Sequence, residues 1–214
     1  MVDRIATLLG SGKVIPVVSL DDAAHAAPLA DALLAGGIRI VEITLRTPQA
    51  LRAIEALARA RPEIRTGGGT CRTPDDLRRL ADAGAAFAVS PGSTPALVAA
   101  ARQGTLPWLP GAATVSEMMT LEAEGFSCQK LFPASLAGGV ELLKAVAPAL
   151  PTLRFCPTGG ISLQNIGAYV AQPNVLCVGG SWIAPAELVQ RGAWDDISRN
   201  AAAAVAAATP REPW

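Results

Sequence analysis

The sequence predicts an α/β fold, a (β/α)8 TIM barrel in which residues 1–214 form a single domain, with residues 209–214 as a loose tail. Short runs rich in valine, isoleucine and leucine alternate with segments of helical period. The 214 residues suit one large domain better than two small ones. Polar residues recur where the strand-like runs end, which is where barrel enzymes place their chemistry. The rival is a doubly wound open sheet, and no G-x-G-x-x-G sequence follows the first run to support it.

Eight apolar runs are predicted to be strands. They cover residues 14–18, 38–45, 63–66, 86–90, 106–110, 126–132, 153–157 and 175–179. Each run is short, and helix start and stop signals lie between consecutive runs. The resulting order is strand, helix, strand, helix along the chain.

The starts of the helices are marked by capping residues. The sequences "RTPQAL", "RTPDDL" and "STPALV" place Thr47, Thr73 and Thr94 at N-caps, each with proline at the first helical position. Residues 114–117, "TVSE", have the pattern of a capping box. Residues 194–208 are predicted to form a closing helix.

The composition favours a small-molecule partner. Eighteen acidic residues balance eighteen basic ones, whereas binding to nucleic acid or to an anionic membrane depends on a basic surface. No apolar stretch approaches the roughly 20 residues that a membrane helix needs, and the N-terminus lacks the features of a secretion signal. We therefore expect a cytoplasmic protein that binds neither nucleic acid nor membranes.

The cysteines and the single histidine argue against several kinds of active site. Cys71, Cys128, Cys156 and Cys177 lie far apart in the sequence and in apolar surroundings, which predicts buried thiols rather than a zinc site or a disulfide. The one histidine, His25, lies in a predicted helix. A Ser/His/Asp triad, a Cys/His pair and a histidine-based metal centre are therefore not expected.

A polar face is predicted on the second strand. In "VEITLR", Glu42, Thr44 and Arg46 share one face, because side chains alternate along a strand. In a barrel this face points inward, with Glu42 deeper and Arg46 roughly 13 Å away at the mouth. Polar side chains inside a barrel need partners or a ligand. The alternative is an ion-paired or solvated sheet edge.

A lysine ends the sixth predicted strand. The chain has fifteen arginines but three lysines, and one of them, Lys130, lies in the apolar sequence "CQKLFPA". Apolar surroundings destabilise an ammonium, so the neutral, nucleophilic amine becomes available near neutral pH, which arginine could not provide. The alternative is a lysine that extends to solvent or pairs with a carboxylate.

Three glycine-rich segments follow predicted strands. "TGGGTCRTP" is predicted to be a tight turn that lets the backbone approach a ligand, with the hydroxyl of Thr70 at the top of the barrel. "PTGGIS" and "VGGSW" each combine consecutive backbone N–H groups with a hydroxyl, from Thr158 and Ser181. Barrels commonly bind phosphate with the loops after strands 7 and 8, so we expect a phosphate site here. The alternative is that these glycines serve turns without a ligand.

Taken together, these segments resemble the 2-keto-3-deoxy-6-phosphogluconate (KDPG) aldolases, many of which also act on 4-hydroxy-2-oxoglutarate (KHG). That family consists of class I aldolases with the TIM-barrel fold. The resemblance runs in order and spacing over residues 14–185. It is carried by "GGIRIVEITLRTP", "GGGT", "AVSPG", "PGAATVSE", "KLFPA", "RFCPTGGIS" and "VLCVGGSW".

The resemblance implies roles for individual residues. Lys130 would form the Schiff base and Glu42 would be the general acid and base. Arg46 and Thr70 would hold the pyruvyl carboxylate. The remaining residues would line the pocket, Pro91 and Phe132 along the carbon chain and Gly159, Gly160, Gly180 and Ser181 at the phosphate, with Thr158 close by. The family also implies a homotrimer with a phosphorylated keto-acid substrate and no metal or organic cofactor.

Two positions depart from the family pattern. Gly68 stands where alanine is expected, and Leu131 follows the lysine where an aromatic residue is familiar. Neither change removes a catalytic group, so we expect both to affect packing rather than the reaction.

The implied reaction is cleavage of KDPG to pyruvate and glyceraldehyde 3-phosphate, a lyase step of the Entner–Doudoroff pathway. KHG would give pyruvate and glyoxylate. A 2-keto-3-deoxy-6-phosphogalactonate aldolase, which differs in stereochemistry at C4, is an alternative that the motifs do not exclude. A sugar-phosphate-binding barrel without aldolase activity is another, and it would require neither Lys130 nor Glu42.

Overall fold

The computed structural model describes residues 4–10 and 12–209. The strands are β1 (Val14–Val18), β2 (Ile40–Thr44), β3 (Arg65–Gly69), β4 (Phe87–Val89), β5 (Trp108–Leu109), β6 (Gly111–Ala112), β7 (Cys128–Leu131), β8 (Arg154–Pro157) and β9 (Val178–Gly180). The α-helices are α1 (Arg4–Leu9), α2 (Ala26–Ala35), α3 (Ala50–Ala60), α4 (Pro74–Asp82), α5 (Pro95–Gln103), α6 (Val115–Ala123), α7 (Gly139–Val146), α8 (Ile166–Val170), α9 (Ala186–Gln190) and α10 (Trp194–Ala208). A short 3-10 helix covers Ala23–His25. Apart from Thr209, the predicted tail lies outside the described residues.

The strands form two parallel sheets. One has the order β5-β4-β3-β2-β1-β9 and the other the order β6-β7-β8. Pro110 alone separates β5 from β6 in the chain, and isolated parallel bridges join Phe155 to Val175 and Thr158 to Gly179. From β1 to β5 each strand pairs with the next one in the chain, without the reversal of order that marks a doubly wound sheet. This α/β arrangement fits the TIM-barrel class.

Apolar side chains fill the space enclosed at the amino ends of the strands. Ile15, Ile40, Phe87 and Leu109 belong to one buried cluster, and α1 contributes Ile5 and Leu9 to it. The cysteine of β7 and that of β8 lie in the same cluster. We call this cluster the apolar floor. Because side chains alternate along a strand, the residue two positions after a floor residue points to the same face and lies one layer nearer the carboxyl end of the strand. Those positions hold Glu42 after Ile40, Lys130 after Cys128 and Thr158 after Cys156.

The cysteines are buried free thiols, as predicted. Burial raises the pKa of the Cys71 thiol to about 12. The contact with Cys156, together with burial, raises the pKa of Cys177 well above the usual value. Although far apart in the sequence, Cys128, Cys156 and Cys177 meet in the apolar cluster under the polar layer.

The predicted turn at residues 67–69 is wrong, because these glycines lie within β3. A Cβ atom on Gly67 would lie 2.3 Å from ring atoms of Phe87, and one on Gly69 would lie 2.0 Å from Oε1 of Glu42. Both neighbours are buried side chains of adjoining strands. The glycines are therefore needed for close packing inside the sheet and not for a bend in the chain.

Two of the three predicted threonine–proline caps are confirmed. Thr73 and Thr94 cap α4 and α5 through their side-chain oxygens. Thr47 does not cap α3, which begins at Ala50; its hydroxyl instead donates to the backbone carbonyl of Leu20. The tertiary contact with the loop after β1 therefore overrides the local capping signal.

Each predicted strand overlaps an observed one, but the fifth is shifted from residues 106–110 to residues 108–112 and is interrupted at Pro110. The chain pairs with β4 before Pro110 and with β7 after it, so the partner strand changes at this proline. The backbone N–H of Lys130 donates to the carbonyl of Pro110 at 2.7 Å. This hydrogen bond contributes to the register that places Lys130.

The closing helix is confirmed as α10, Trp194–Ala208. His25 ends the 3-10 helix, and its ring packs edge-on against Trp194 at 5.6 Å between centroids. Among the described residues, no helix has the length and apolar character needed to cross a membrane. Within the same residues, no group of three histidine, cysteine or acidic side chains is arranged to hold a metal ion.

The capping box of α6 generates a prediction about pH. The backbone N–H groups of Ala113 and Thr114 donate to the Glu117 carboxylate and lower its pKa from the usual 4.5. A carboxyl whose pKa falls on folding contributes stability above its unfolded pKa and loses it as the pH falls through the folded pKa. We expect Glu117→Gln to be less stable than the wild type at pH 7, with the difference shrinking as the pH falls below about 4.5.

Urea unfolding at a series of pH values would measure this difference. Glu63→Gln is the matched control, because Glu63 is exposed, lies outside α6 and has a charge that acts on Arg61 rather than on backbone N–H groups of a helix cap. A difference between Glu117→Gln and the wild type that stays constant with pH would contradict the prediction.

Candidate active site

Lys130 and Glu42 form a buried ion pair inside the fold. Nζ of Lys130 lies 3.3 Å from Oε1 of Glu42, and the side chains are 6% and 5% exposed. Glu42 comes from the middle of β2, and Lys130 comes from β7 in the other sheet. Burial excludes a solvated sheet edge and a lysine that extends to solvent. The other alternative for Lys130, pairing with a carboxylate, is what the structure has, and Glu42 is ion-paired within its sheet rather than at an edge.

The pair has a specific set of neighbours. The ring of Phe132 lies 5.3 Å from Nζ of Lys130, close enough for a cation–π contact. The backbone of Gly69 packs directly against the Glu42 carboxyl group. Leu131 points the other way, into the core between strands and helices, and Gly68 faces Leu80 of α4. Both departures from the family pattern therefore lie on the far side of the strands from the ion pair.

A buried ion pair of this kind has direct chemical consequences. Removing two charges from water is costly, and their mutual attraction offsets that cost only in part. Transfer of one proton from Lys130 to Glu42 gives a neutral amine beside a neutral carboxylic acid. The site can therefore supply a nucleophile and a proton donor together, at a separation of 3.3 Å.

Thr70 adopts an unusual backbone conformation at the end of β3. Its φ is +58°, in the left-handed region that β-branched residues rarely enter. Such a conformation costs on the order of 1–3 kcal/mol and persists where the surrounding structure imposes it. It follows Gly69, which touches Glu42, so the strained residue adjoins the ion pair. The prediction that Thr70 offers its hydroxyl at this end of the strands is compatible with that position.

A cavity of about 270 Å³ opens beside the ion pair at the carboxyl ends of β1, β2, β8 and β9. It is lined by Val17, Ser19, Arg46, Phe132, Thr158, Gly159, Gly160, Ile161, Gly179, Gly180, Ser181, Ala184, Pro185 and Ala186. The residues predicted for the phosphate and the hydroxyl beside it all line this cavity, as do Arg46 and Phe132. Thr70, Pro91 and the ion pair itself, Lys130 and Glu42, do not line it. The cavity reaches the lysine through Phe132, whose ring lies 5.3 Å from Nζ of Lys130.

Pro91 lies against Gly111 of β6. A Cβ atom on Gly111 would lie 2.4 Å from the backbone carbonyl group of Pro91. Gly111 is the register partner of Lys130 in the second sheet. Pro91 therefore contacts the residue that pairs with Lys130, and it does not line the cavity.

The loop after β8 can present N–H groups to an anion. Gly159 and Gly160 have φ values of +97° and +78°, which an L-residue side chain would oppose. Backbone N–H groups in consecutive positions of this kind form concave anion sites. The segment after Lys130 is tied to this loop, because Ala134 and Ser135 donate to the carbonyls of Thr158 and Gly159 at 2.8 and 3.1 Å. These two hydrogen bonds fix the position of the loop after β8 relative to β7, the strand that carries Lys130.

Ser19 is a candidate site residue that the sequence interpretation missed. It lines the cavity, and its hydroxyl lies 2.7 Å from that of Thr44 on β2. A signal was available, because Ser19 follows Val17 by two positions at the carboxyl end of the first strand. The alternation that identified Glu42 and Arg46 applies equally to Ser19.

Comparisons with known proteins point to one family. A family model described as "Aldolase: KDPG and KHG aldolase" matches residues 5–200. The chain is 47% identical over 202 residues to the 2-dehydro-3-deoxy-phosphogluconate aldolase of Dickeya dadantii, covering 94% of this chain and 95% of the relative. It is 46% identical over 199 residues to the KHG/KDPG aldolase of Escherichia coli, covering 93% of each.

Solved structures agree with this. A crystal structure of KDPG aldolase from Legionella pneumophila, with pyruvate captured at low pH as a covalent carbinolamine intermediate, matches with a TM-score of 0.92. The two sequences are 42% identical, and the match covers 94% of this chain and 97% of that one.

The packing of Gly69 against Glu42 generates a test of the site geometry. Because the Glu42 carboxyl group ends a flexible side chain, Gly69→Ala should keep the fold but displace the carboxyl group from Lys130. A crystal structure of the variant would measure the separation between Nζ and Oε1. A separation that stays at 3.3 Å would contradict the prediction.

The neighbouring Gly68→Ala is the matched control. Its new methyl group would lie 2.0 Å from Cδ2 of Leu80, on the opposite face of β3. We expect it to lower the free energy of unfolding by about 1–3 kcal/mol while leaving the Lys130–Glu42 contact unchanged.

Proposed function

The chain belongs to the KDPG and KHG aldolase family, and on this premise we propose that Lys130 and Glu42 are its catalytic pair. It is a class I aldolase, a lyase that cleaves KDPG to pyruvate and glyceraldehyde 3-phosphate through a Schiff base. The observation that carries the assignment of residues is the buried contact of 3.3 Å between Nζ of Lys130 and Oε1 of Glu42. A Schiff base needs one amine and one proton carrier, and this contact supplies both.

The reaction begins with attack of the neutral Lys130 amine on the C2 ketone. The attack gives a carbinolamine. The carboxylic acid form of Glu42 protonates its C2 hydroxyl group, and this group then leaves as water. The product is an iminium between Lys130 and C2. Its positive nitrogen can accept the electron pair of the bond that breaks next.

Cleavage uses the Glu42 carboxylate as a base. It takes the proton of the C4 hydroxyl, the C3–C4 bond breaks, and its electron pair moves into the iminium to leave an enamine. The C4 oxygen becomes the aldehyde oxygen of glyceraldehyde 3-phosphate, which departs. The Glu42 proton is then delivered to C3, and attack of water on C2 releases pyruvate and regenerates the Lys130 amine.

The substrate is oriented by its two anionic ends. Arg46 and Thr70 hold the C1 carboxylate, Arg46 because its planar guanidinium suits a carboxylate. Pro91 and Phe132 flank the carbon chain. The phosphate is held by Gly159, Gly160, Gly180 and Ser181, with Thr158 between this group and the lysine. Support comes from the cavity of about 270 Å³, which these phosphate residues share with Arg46 and Phe132.

KHG is a second candidate substrate. It is split between C3 and C4 by the same steps and gives pyruvate and glyoxylate. The Escherichia coli relative, named a KHG/KDPG aldolase, supports this assignment. The C4 epimer, 2-keto-3-deoxy-6-phosphogalactonate, is the alternative that steady-state comparison of the two epimers would test.

The larger architecture follows the family. The two sheets close into one (β/α)8 barrel. They are connected on one side through Pro110, which links β5 to β6, and on the other side through the Thr158–Gly179 bridge. The barrel is a single domain and assembles as a homotrimer, in keeping with the sequence resemblance. The enzyme works in the cytoplasm, where reducing conditions suit its four free cysteines.

Trapping with borohydride tests the role of Lys130. Incubation with pyruvate followed by sodium borohydride should reduce the iminium to a stable carboxyethyl adduct, which peptide mass analysis would locate on Lys130. The exposed Lys13 and Lys144 are internal controls and should stay unmodified. An adduct on either of them, without one on Lys130, would remove Lys130 from its role.

Replacement of Glu42 tests the proton carrier. Glu42→Gln should keep the fold and lower kcat by about 10²- to 10⁴-fold, because the amide cannot exchange the proton. Glu141→Gln is the matched control, since Glu141 also pairs with a lysine, Lys144, at 2.9 Å but on the surface. Thermal unfolding would verify the fold, and an unchanged kcat in Glu42→Gln would exclude Glu42 as the acid and base.

A further inference from the structure

Ser19 and Thr44 form a pair of hydroxyls between the ion pair and the cavity. Their oxygens are 2.7 Å apart, and Thr44 is 1% exposed, whereas Ser19 is partly exposed and lines the cavity. Thr44 lies two positions after Glu42 on the inner face of β2, and Ser19 follows the last residue of β1. Ser19 is therefore part of the cavity wall, and Thr44 lies buried next to it on the strand that carries Glu42.

The geometry allows either hydroxyl of the pair to donate. In the described part of the chain the Thr44 hydroxyl has Ser19 as its sole hydrogen-bond partner, whereas Ser19 also faces the cavity. When a ligand in the cavity accepts the proton of Ser19, the Thr44 hydroxyl can donate to the Ser19 oxygen, so both protons have acceptors.

The order of the strands places Ser19 between the two anion sites. In the larger sheet β1 lies between β2 and β9. Arg46 follows β2, and Ser181 follows β9. Ser19, which follows β1, therefore stands between the residue assigned to the carboxylate and the loop assigned to the phosphate.

We propose that Ser19 is a specificity-determining residue that donates a hydrogen bond to the C5 hydroxyl of the substrate. This inference rests on the proposed function. The C1 carboxylate is assigned to Arg46, the proton of the C4 hydroxyl goes to Glu42, and the phosphate occupies the loops after β8 and β9. The C5 hydroxyl is the polar group between C4 and the phosphate that still needs a partner, and a neutral donor suits a neutral oxygen.

The proposal has a consequence for substrate choice. KHG is a five-carbon diacid with a carboxylate at C5 and no C5 hydroxyl. The Ser19 hydrogen bond therefore favours substrates with an oxygen acceptor at C5, the hydroxyl of KDPG or the carboxylate of KHG, over an analogue that lacks one. It contributes nothing to the chemical steps at C2, C3 and C4.

Steady-state kinetics of Ser19→Ala with three substrates tests this. The substrates are KDPG, its 5-deoxy analogue and KHG. For KDPG we expect kcat/KM to fall about tenfold, the effect of one hydrogen bond to a neutral group. For the 5-deoxy analogue kcat/KM should change less than about twofold, since it has no oxygen at C5. For KHG we expect a loss like that with KDPG, because its C5 carboxylate can accept the same hydrogen bond. Ser116→Ala, an exposed serine of α6 away from the cavity, is the matched control and should leave all three values unchanged.

The outcomes separate the proposal from the function on which it rests. An unchanged kcat/KM for KDPG in Ser19→Ala, or an equal loss with all three substrates, would overturn the role of Ser19. In either case the borohydride adduct of Lys130 in the wild-type enzyme would leave the aldolase assignment standing. Absence of that adduct, together with absence of KDPG cleavage by the wild type, would instead overturn the proposed function.

Discussion

The buried contact between Lys130 and Glu42 is the constraint on which the arrangement of the strands depends. Two opposite charges, each about 5% exposed, are tolerable in an interior only if each has the other as a partner. Their strands, β7 and β2, belong to different sheets, so the sheets must face each other closely enough to bring the side chains within 3.3 Å. The contact also accounts for Gly69, since a larger residue would occupy the position of the Glu42 carboxyl group.

The interior is layered along the strand direction. An apolar floor that includes Ile40, Cys128 and Cys156 lies toward the amino ends of the strands. Polar residues two positions later on the same strands form the layer above it, and the phosphate-end loops lie beyond that layer. Because side chains alternate with period two, one strand can supply both the floor and the chemistry. The buried apolar cluster separates the ion pair from solvent on that side.

The proposed binding of the substrate uses charged contacts at its ends and neutral ones in the middle. In that proposal the guanidinium of Arg46 serves one anionic end, and the N–H groups of the loops after β8 and β9 serve the other. The neutral hydroxyls of Ser19 and Thr44 lie between them. A positively charged side chain in place of these hydroxyls would attract the carboxylate or the phosphate of the substrate away from its own site. A hydroxyl can bind a neutral oxygen without attracting either anionic group. The geometry thus divides binding between charged ends and a neutral centre.

The sequence by itself determined the features that depend on near neighbours along the chain. These include the alternation of strands and helices, the caps at Thr73 and Thr94, the closing helix and the inward face that carries Glu42. The tertiary structure decided what depends on distant residues. Thr47 caps no helix because its hydroxyl reaches Leu20, and Gly67 and Gly69 form strand because Phe87 and Glu42 pack against them. Lys130 and Glu42, 88 positions apart, meet only through the packing of the whole fold, which no local pattern encodes.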